Sequence, residues 1–215
     1  MNETTLTLNI ERAISELRRG GTVVISDPNF GTSVLLVAAE LINKESVNNL
    51  SDLALSRPNI ILSENRSNAI GIKIVNKPCS ILIDKSWTVH DILSLCMPLT
   101  GHKIPSINGV IEESNKNIVS HCLLILRQSR LLPAGLMSII SNVPPENISQ
   151  WSFKNNFIHV DINDIRCYEK SSAESLVMSV RAKVPIAETE NCEIVIFRPK
   201  DGGDEHFCLV FGKTR

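Results

Sequence analysis

Short apolar runs rich in β-branched residues recur along this chain, separated by stretches whose apolar residues fall three and four positions apart. No other feature constrains the fold as strongly. Thr22-Val23-Val24-Ile25-Ser26 is one such run, and Asn59–Leu62, 80–84, 136–140 and 157–160 are others. Runs this short suit buried strands and are too short for buried helices. Between them, three sets of residues each trace one face of a helix: Ile10, Ala13, Ile14 and Leu17; Val89, Ile92, Leu93 and Cys96; Cys122, Ile125, Leu126 and Ser129. When strands and helices alternate, the helices cover the faces of the sheet. The expected class is therefore mixed α/β (α+β), with α-β-α layers.

The punctuation sharpens this reading. The first helix is expected to start at Asn9 as N-cap and stop at Gly20-Gly21. A turn follows at Asp27-Pro28-Asn29-Phe30-Gly31. Residues 34–42, with Ala38-Ala39, read as a packed helix, 46–55 as a short helix ended before Arg57-Pro58, and 174–180 as a helix. The tail differs in character, because 193–198 and 206–211 are strand-like runs around Asp201-Gly202-Gly203-Asp204, the signal of a hairpin. A domain boundary is expected near 183, dividing the chain into 1–182 and 183–215.

Charge and cysteine content exclude several functional classes. The 215 residues carry 22 Lys+Arg against 23 Asp+Glu, a net charge of −1. This lacks the electrostatic footprint of a nucleic-acid binder and the polybasic run of a membrane-surface protein. No apolar stretch approaches the roughly 20 residues that span a bilayer, and Met1-Asn2-Glu3-Thr4-Thr5 does not open a signal peptide. A cytoplasmic protein is expected. The six cysteines, Cys79, Cys96, Cys122, Cys167, Cys192 and Cys208, include no C-x-x-C pair. They read as small hydrophobes rather than a zinc site or disulfide framework.

The order of segments resembles the bifunctional riboflavin-biosynthesis family, which joins a 3,4-dihydroxy-2-butanone-4-phosphate synthase domain to a GTP cyclohydrolase II domain. Four places carry the resemblance. The first is Ile10-Glu11-Arg12-Ala13-Ile14, Gly20 and Thr22-Val23-Val24-Ile25, followed by Leu36-Val37-Ala38-Ala39-Glu40. The second is Gly101-His102 with Pro105, and the third is Leu132-Pro133-Ala134-Gly135-Leu136. The fourth runs from Val184-Pro185 to Gly203-Asp204-Glu205-His206-Phe207-Cys208-Leu209-Val210 and looks like the opening strands of the cyclohydrolase. The resemblance implies a synthase-like domain over 1–182, an incomplete cyclohydrolase start over 183–215, and a homodimer. It also implies that the chain stops at Arg215 before the family's zinc cysteines.

The same resemblance locates where the synthase chemistry should lie. That chemistry takes ribulose 5-phosphate to a four-carbon ketone phosphate and formate, with Mg²⁺ held by clustered carboxylates. In the family's acidic loop this chain has only Asp27, and Phe30 stands at a key acidic position. The family's metal-binding His falls in Asn117-Ile118-Val119-Ser120-His121-Cys122, where His121 is out of register. Ile139 occupies the position of the catalytic Glu and cannot move a proton. In the substrate-binding segment Asp91 is kept, but the phosphate-clamping Arg has become Ile92.

The remnant catalytic candidates are therefore Asp27, Asp91 and His102, and Glu64 and Arg66 are candidates for substrate binding. No metal site is expected, and Mg²⁺ enters only if the synthase-like site is active. The expected function is a non-catalytic, dimerising module for a GTP cyclohydrolase II. The alternative is an active lyase with a rearranged site built from Asp27, Glu64, Asp91 and His102.

Overall fold

In the computed structural model, which describes residues 3–72, 77–98, 104–107, 110–111, 116–187, 191–199 and 205–212, the first amphipathic stripe is helix α1, Glu3–Arg18. It buries Ile10, Ala13, Ile14 and Leu17. The helix begins before Asn9, so Asn9 is an interior residue and not the cap. Gly20 ends it at φ +80°, a conformation costly for any residue with a Cβ.

β1 (Val23–Asp27) follows, fully buried. A turn through Gly31, at φ +60°, then leads into β2 (Thr32–Ala38), which pairs antiparallel with β1. The helix expected over 34–42 is thus a strand up to Ala38, with a 3₁₀ turn only at Ala39–Leu41. Pairing on both edges, with β1 and with β6 (Ala134–Ile139), overrides the helical preference of the two alanines. A strand buried on both faces loses the polar alternation that would have marked it.

The remaining elements of this sheet are α2 (Lys44–Ala54), β3 (Asn59–Leu62), α3 (Glu64–Ala69), β4 (Cys79–Leu82), α4 (Val89–Cys96), β5 (Val110–Ile111), α5 (Lys116–Gln128), α6 (Ile148–Lys154) and β7 (Ile158–Asp161). Local chemistry sets their ends. Asn43 accepts from the Ser46 N–H at 2.8 Å while Ser46 Oγ accepts from the Asn43 N–H at 2.9 Å, a reciprocal cap on α2.

The seven strands run in the order β5-β4-β3-β6-β2-β1-β7, and only the β1–β7 pair is parallel. Register assigns the two faces. Val23, Ile25 and Asp27 share a face with Leu36, Met137 and Gly135, the face covered by α1 and α5. Val24, Leu35, Ile60, Ile81 and Leu136 share the other, where they pack with Leu50 of α2, Ile92 and Leu95 of α4 and Ile148 of α6. These are the expected α-β-α layers.

The chain divides into two units, Met1–Arg166 and Cys167–Arg215. The division falls before the expected 182/183 boundary for a clear reason. Helix α7 (Ile162–Glu174) ends where a helix was expected to begin, and Leu176–Lys183 is a strand, β8. β8 hydrogen-bonds to β9 (Cys192–Pro199), which pairs with β10 (His206–Phe211). The expected β9–β10 hairpin is thus part of a three-stranded antiparallel sheet, and its 201–204 turn lies outside the described residues.

Candidate functional site

Asp27 closes β1 at the end of the sheet where the resemblance places the synthase chemistry. It is buried, with 1% of its surface exposed. Its Oδ1 accepts from the Asn29 N–H at 3.0 Å, an Asx turn that shapes the β1–β2 connection. Its Oδ2 is buried with no hydrogen-bond partner among the described residues. Around it, the same end of the sheet presents apolar side chains to solvent: Phe30 is 60% exposed and Ile139, paired with Val34, is 43% exposed. His121 is half-buried on α5 and has interactions of its own. His102 lies outside the described residues.

Glu64 and Arg66 stand at the opposite end of the sheet. β6 runs antiparallel to β3 and to β2, and β2 runs antiparallel to β1. The C-terminal end of β3, from which α3 starts, therefore lies away from Asp27. The Arg66 guanidinium is committed to the end of α4: Nε donates to the Leu95 carbonyl at 2.7 Å, and Nη2 donates to the carbonyls of Ser94 at 2.8 Å and Met97 at 2.6 Å. These are carbonyls that a helix C-terminus leaves without intrahelical donors. Burial lowers the Arg66 pKa from its ordinary value. In the same region burial pushes the Cys96 thiol up to about 12, so it stays protonated. Glu64 borders a hollow of about 300 Å³ with Lys77, Ser120 and Arg127.

Asp91 has a local role as well. Its Oδ2 accepts from the Thr88 N–H at 2.8 Å and from Thr88 Oγ1 at 2.7 Å, while Thr88 Oγ1 accepts the Asp91 N–H at 3.2 Å. This is the capping box of α4. The Thr88 hydrogen bonds hold the exposed Asp91 carboxyl below the usual range. Asp91 follows β4 at the same end of the sheet as Asp27, but four strand spacings separate β4 from β1, about 19 Å at ~4.8 Å each. The two also lie on opposite faces, since α4 packs on the face that Asp27 does not share. Asp27, Glu64 and Asp91 are therefore not brought together.

The fit of a divalent ion can be judged from these donors. Mg²⁺ takes near-octahedral oxygen ligation, with carboxylates as its protein ligands. At the end of β1 the described residues offer Asp27, half engaged in its own turn, beside Phe30 and Ile139, while Asp161 at the end of the neighbouring β7 lies on the other face. Among the described residues no group of three or more His, Cys, Asp or Glu could hold a metal ion. The described residues do not fit Mg²⁺.

One polar pair escaped the sequence reading. Ser26 Oγ and His159 Nε2 lie 2.8 Å apart across the parallel β1–β7 pair. The alternation Ile158-His159-Val160-Asp161 was the available signal, because a strand of this pattern puts His159 and Asp161 on one face. The pairing with Ser26 depends on the register of strands far apart in sequence.

No family model matches the chain. Among curated proteins it is 24% identical over 209 residues to a GTP cyclohydrolase-2 from Azospirillum brasilense, a match covering 94% of this chain and 53% of that protein. The chain thus spans about half the length of that relative. Among solved structures it is similar to RibBX, a two domain 3,4-dihydroxy-2-butanone 4-phosphate synthase from A. baumannii. That likeness has a TM-score of 0.59 and 14% identity, over 94% of this chain and 70% of the other. It is also similar to a 3,4-dihydroxy-2-butanone 4-phosphate synthase in complex with two magnesium ions, with a TM-score of 0.59 and 13% identity over 76% of this chain and 97% of the other. The chain therefore has the layered fold seen in 3,4-dihydroxy-2-butanone 4-phosphate synthases and a weak sequence similarity to a GTP cyclohydrolase-2.

Proposed function

We propose that this chain is a cytoplasmic, non-catalytic synthase-like module of riboflavin biosynthesis, which dimerises and supports a GTP cyclohydrolase II. One observation carries the reading. At the end of β1, the position the resemblance gives to the chemistry, the Asp27 carboxylate is engaged in a turn and stands beside exposed Phe30 and Ile139. Enolisation and skeletal rearrangement of a sugar phosphate require proton-transfer groups and oxygen ligands for the ion that holds the substrate. Phenylalanine and isoleucine supply neither. The alternative lyase built from Asp27, Glu64, Asp91 and His102 gains no support from the separation of the first three.

The test is direct. Purified protein with ribulose 5-phosphate and Mg²⁺ is expected to release no formate above the protein-free rate. Metal-dependent formate release that is lost in Asp27→Ala would overturn the reading in favour of the lyase. The association role is checked separately by sedimentation velocity, where a dimer is expected and a monomer at tens of micromolar would remove dimerisation from the proposal.

A further inference from the structure

The three-stranded sheet of the smaller unit has two unlike faces. Residues paired across neighbouring strands share a face, so the register assigns each side chain. Val180 and Phe207 both pair with Ile196, and Leu209 pairs with Ile194. With Val177 of β8 and Phe211 of β10 they make one face almost wholly apolar. The other face carries Arg181, Lys183, Glu193 and His206.

A bulge in β8 completes the apolar face. Val177 and Val180 are three positions apart, and in a regular strand they would point to opposite sides. The register shifts between Met178 and Val180, so that both valines meet the same side of β9. That side is left open: Val177, Val180, Leu209 and Phe211 are exposed, and Phe207 is 69% exposed.

Size, charge and shape say what covers it. With a whole aromatic side chain carrying roughly 150–250 Å², the open part of the face amounts to about 500 Å². Patches of this size mark interaction sites on soluble proteins. Two such faces pressed together would remove about 1,000 Å² from water, the least that a specific interface needs. The charged side chains at the end of the face cancel, because Arg198 Nε donates to Glu205 Oε1 at 2.6 Å. An acidic or basic partner therefore finds no counter-charge there. A strand added at the β8 or β10 edge would leave the face open, whereas a second sheet about 10 Å away covers all three strands. The same face of another copy is apolar, neutral and of matching size, and a two-fold axis presents it identically to both partners.

We propose that the apolar face of the β8–β9–β10 sheet is the surface through which two copies of this chain associate, packed face to face as a β-sandwich. This rests on the dimerising part of the proposed function and is independent of whether the chain has synthase activity.

The test is sedimentation velocity on the full chain over a concentration series, with Phe207→Glu on the apolar face and His206→Glu, its neighbour on the charged face. The parent and His206→Glu are expected to be dimers. Phe207→Glu should raise the dissociation constant at least about tenfold with an unchanged far-ultraviolet circular dichroism spectrum, since the ring is mostly exposed in the single chain. Val177→Lys, on another strand of the same face, should act alike and serves if Phe207→Glu misfolds. Sodium chloride should not dissociate the parent, because screening weakens charge pairs and not apolar contacts. A parent dimer that persists in both apolar-face variants overturns this surface and leaves dimerisation standing. A monomeric parent overturns both, whether the face then takes up a hydrophobic dye or proves covered by the rest of the chain. Dissociation by salt, or by His206→Glu as readily as by Phe207→Glu, also overturns the proposal.

Discussion

Arg66 shows how a residue that suggests chemistry can be held in place by a structural role. Arginine is the natural clamp for a phosphate, yet here three carbonyls at the end of α4 take its donors. Arg66→Ala should destabilise the protein by about 2 kcal/mol, the scale for charge-assisted hydrogen bonds at a helix C-terminus. Arg66→Lys should recover only part of this, because an ammonium cannot span three carbonyls as the planar fork does. Urea titration of the two variants checks both outcomes, and equal stability of Arg66→Ala and the parent would refute the capping role. His159 gives a second prediction. Its folded pKa lies below the unfolded value of 6.5, so the unfolded chain binds a proton first. Its contribution to stability is fully present above about pH 6.5 and is lost as pH falls toward the folded pKa. The opposite shift of Asp164 acts at lower pH, where it begins to offset this loss. Melting temperature should therefore decline from pH 7 to about 5.5, with a shallower decline in His159→Gln. The capping carboxylate Asp91, whose pKa is lowered, acts only in more acid solution.

At the scale of elements, the most informative residue is Gly135 at the start of β6. A Cβ there would lie 2.9 Å from the Val37 carbonyl oxygen and 3.0 Å from Leu126 Cδ1. The glycine is what lets α5 settle onto β6 and β2, so the Pro133-Ala134-Gly135 segment has a packing reason of its own. Gly135→Ala should cost about 1–3 kcal/mol, as overpacking does. Thermal melts would show it, and an unchanged midpoint would mean that α5 shifts freely. Elements read from local signals held where those signals were strong: α1, α4 and α5 from their stripes, β1, β3 and β4 from their apolar runs. The exceptions are β2 and β8. For β2 the pairing partners decide, and β6 is about a hundred positions away in sequence. For β8 the deciding contact is β9 across the 184–191 connection.

At the scale of the whole molecule, the two units differ in how much apolar surface they bury. Met1–Arg166 holds a continuous core on both faces of its sheet. In Cys167–Arg215, Cys192 and Val195 are buried, while Val180, Phe207, Leu209 and Phe211 are at least 43% exposed. Burial of apolar area is the main source of stability, so the smaller unit should unfold first. Both tryptophans, Trp87 and Trp151, belong to the larger unit. Urea unfolding followed by far-ultraviolet circular dichroism should therefore begin at lower denaturant than unfolding followed by tryptophan fluorescence. Coincident curves would show that the chain unfolds as one cooperative body.

The sequence alone determined the layered class and most element positions. Both are written locally, in the spacing of apolar residues. Only the tertiary structure decided that Asp27, Glu64 and Asp91 stand apart, that Arg66 caps a helix end, and that Ser26 meets His159 across β1 and β7. Those facts depend on strand order and register, and register arises from the packing of residues distant in the chain.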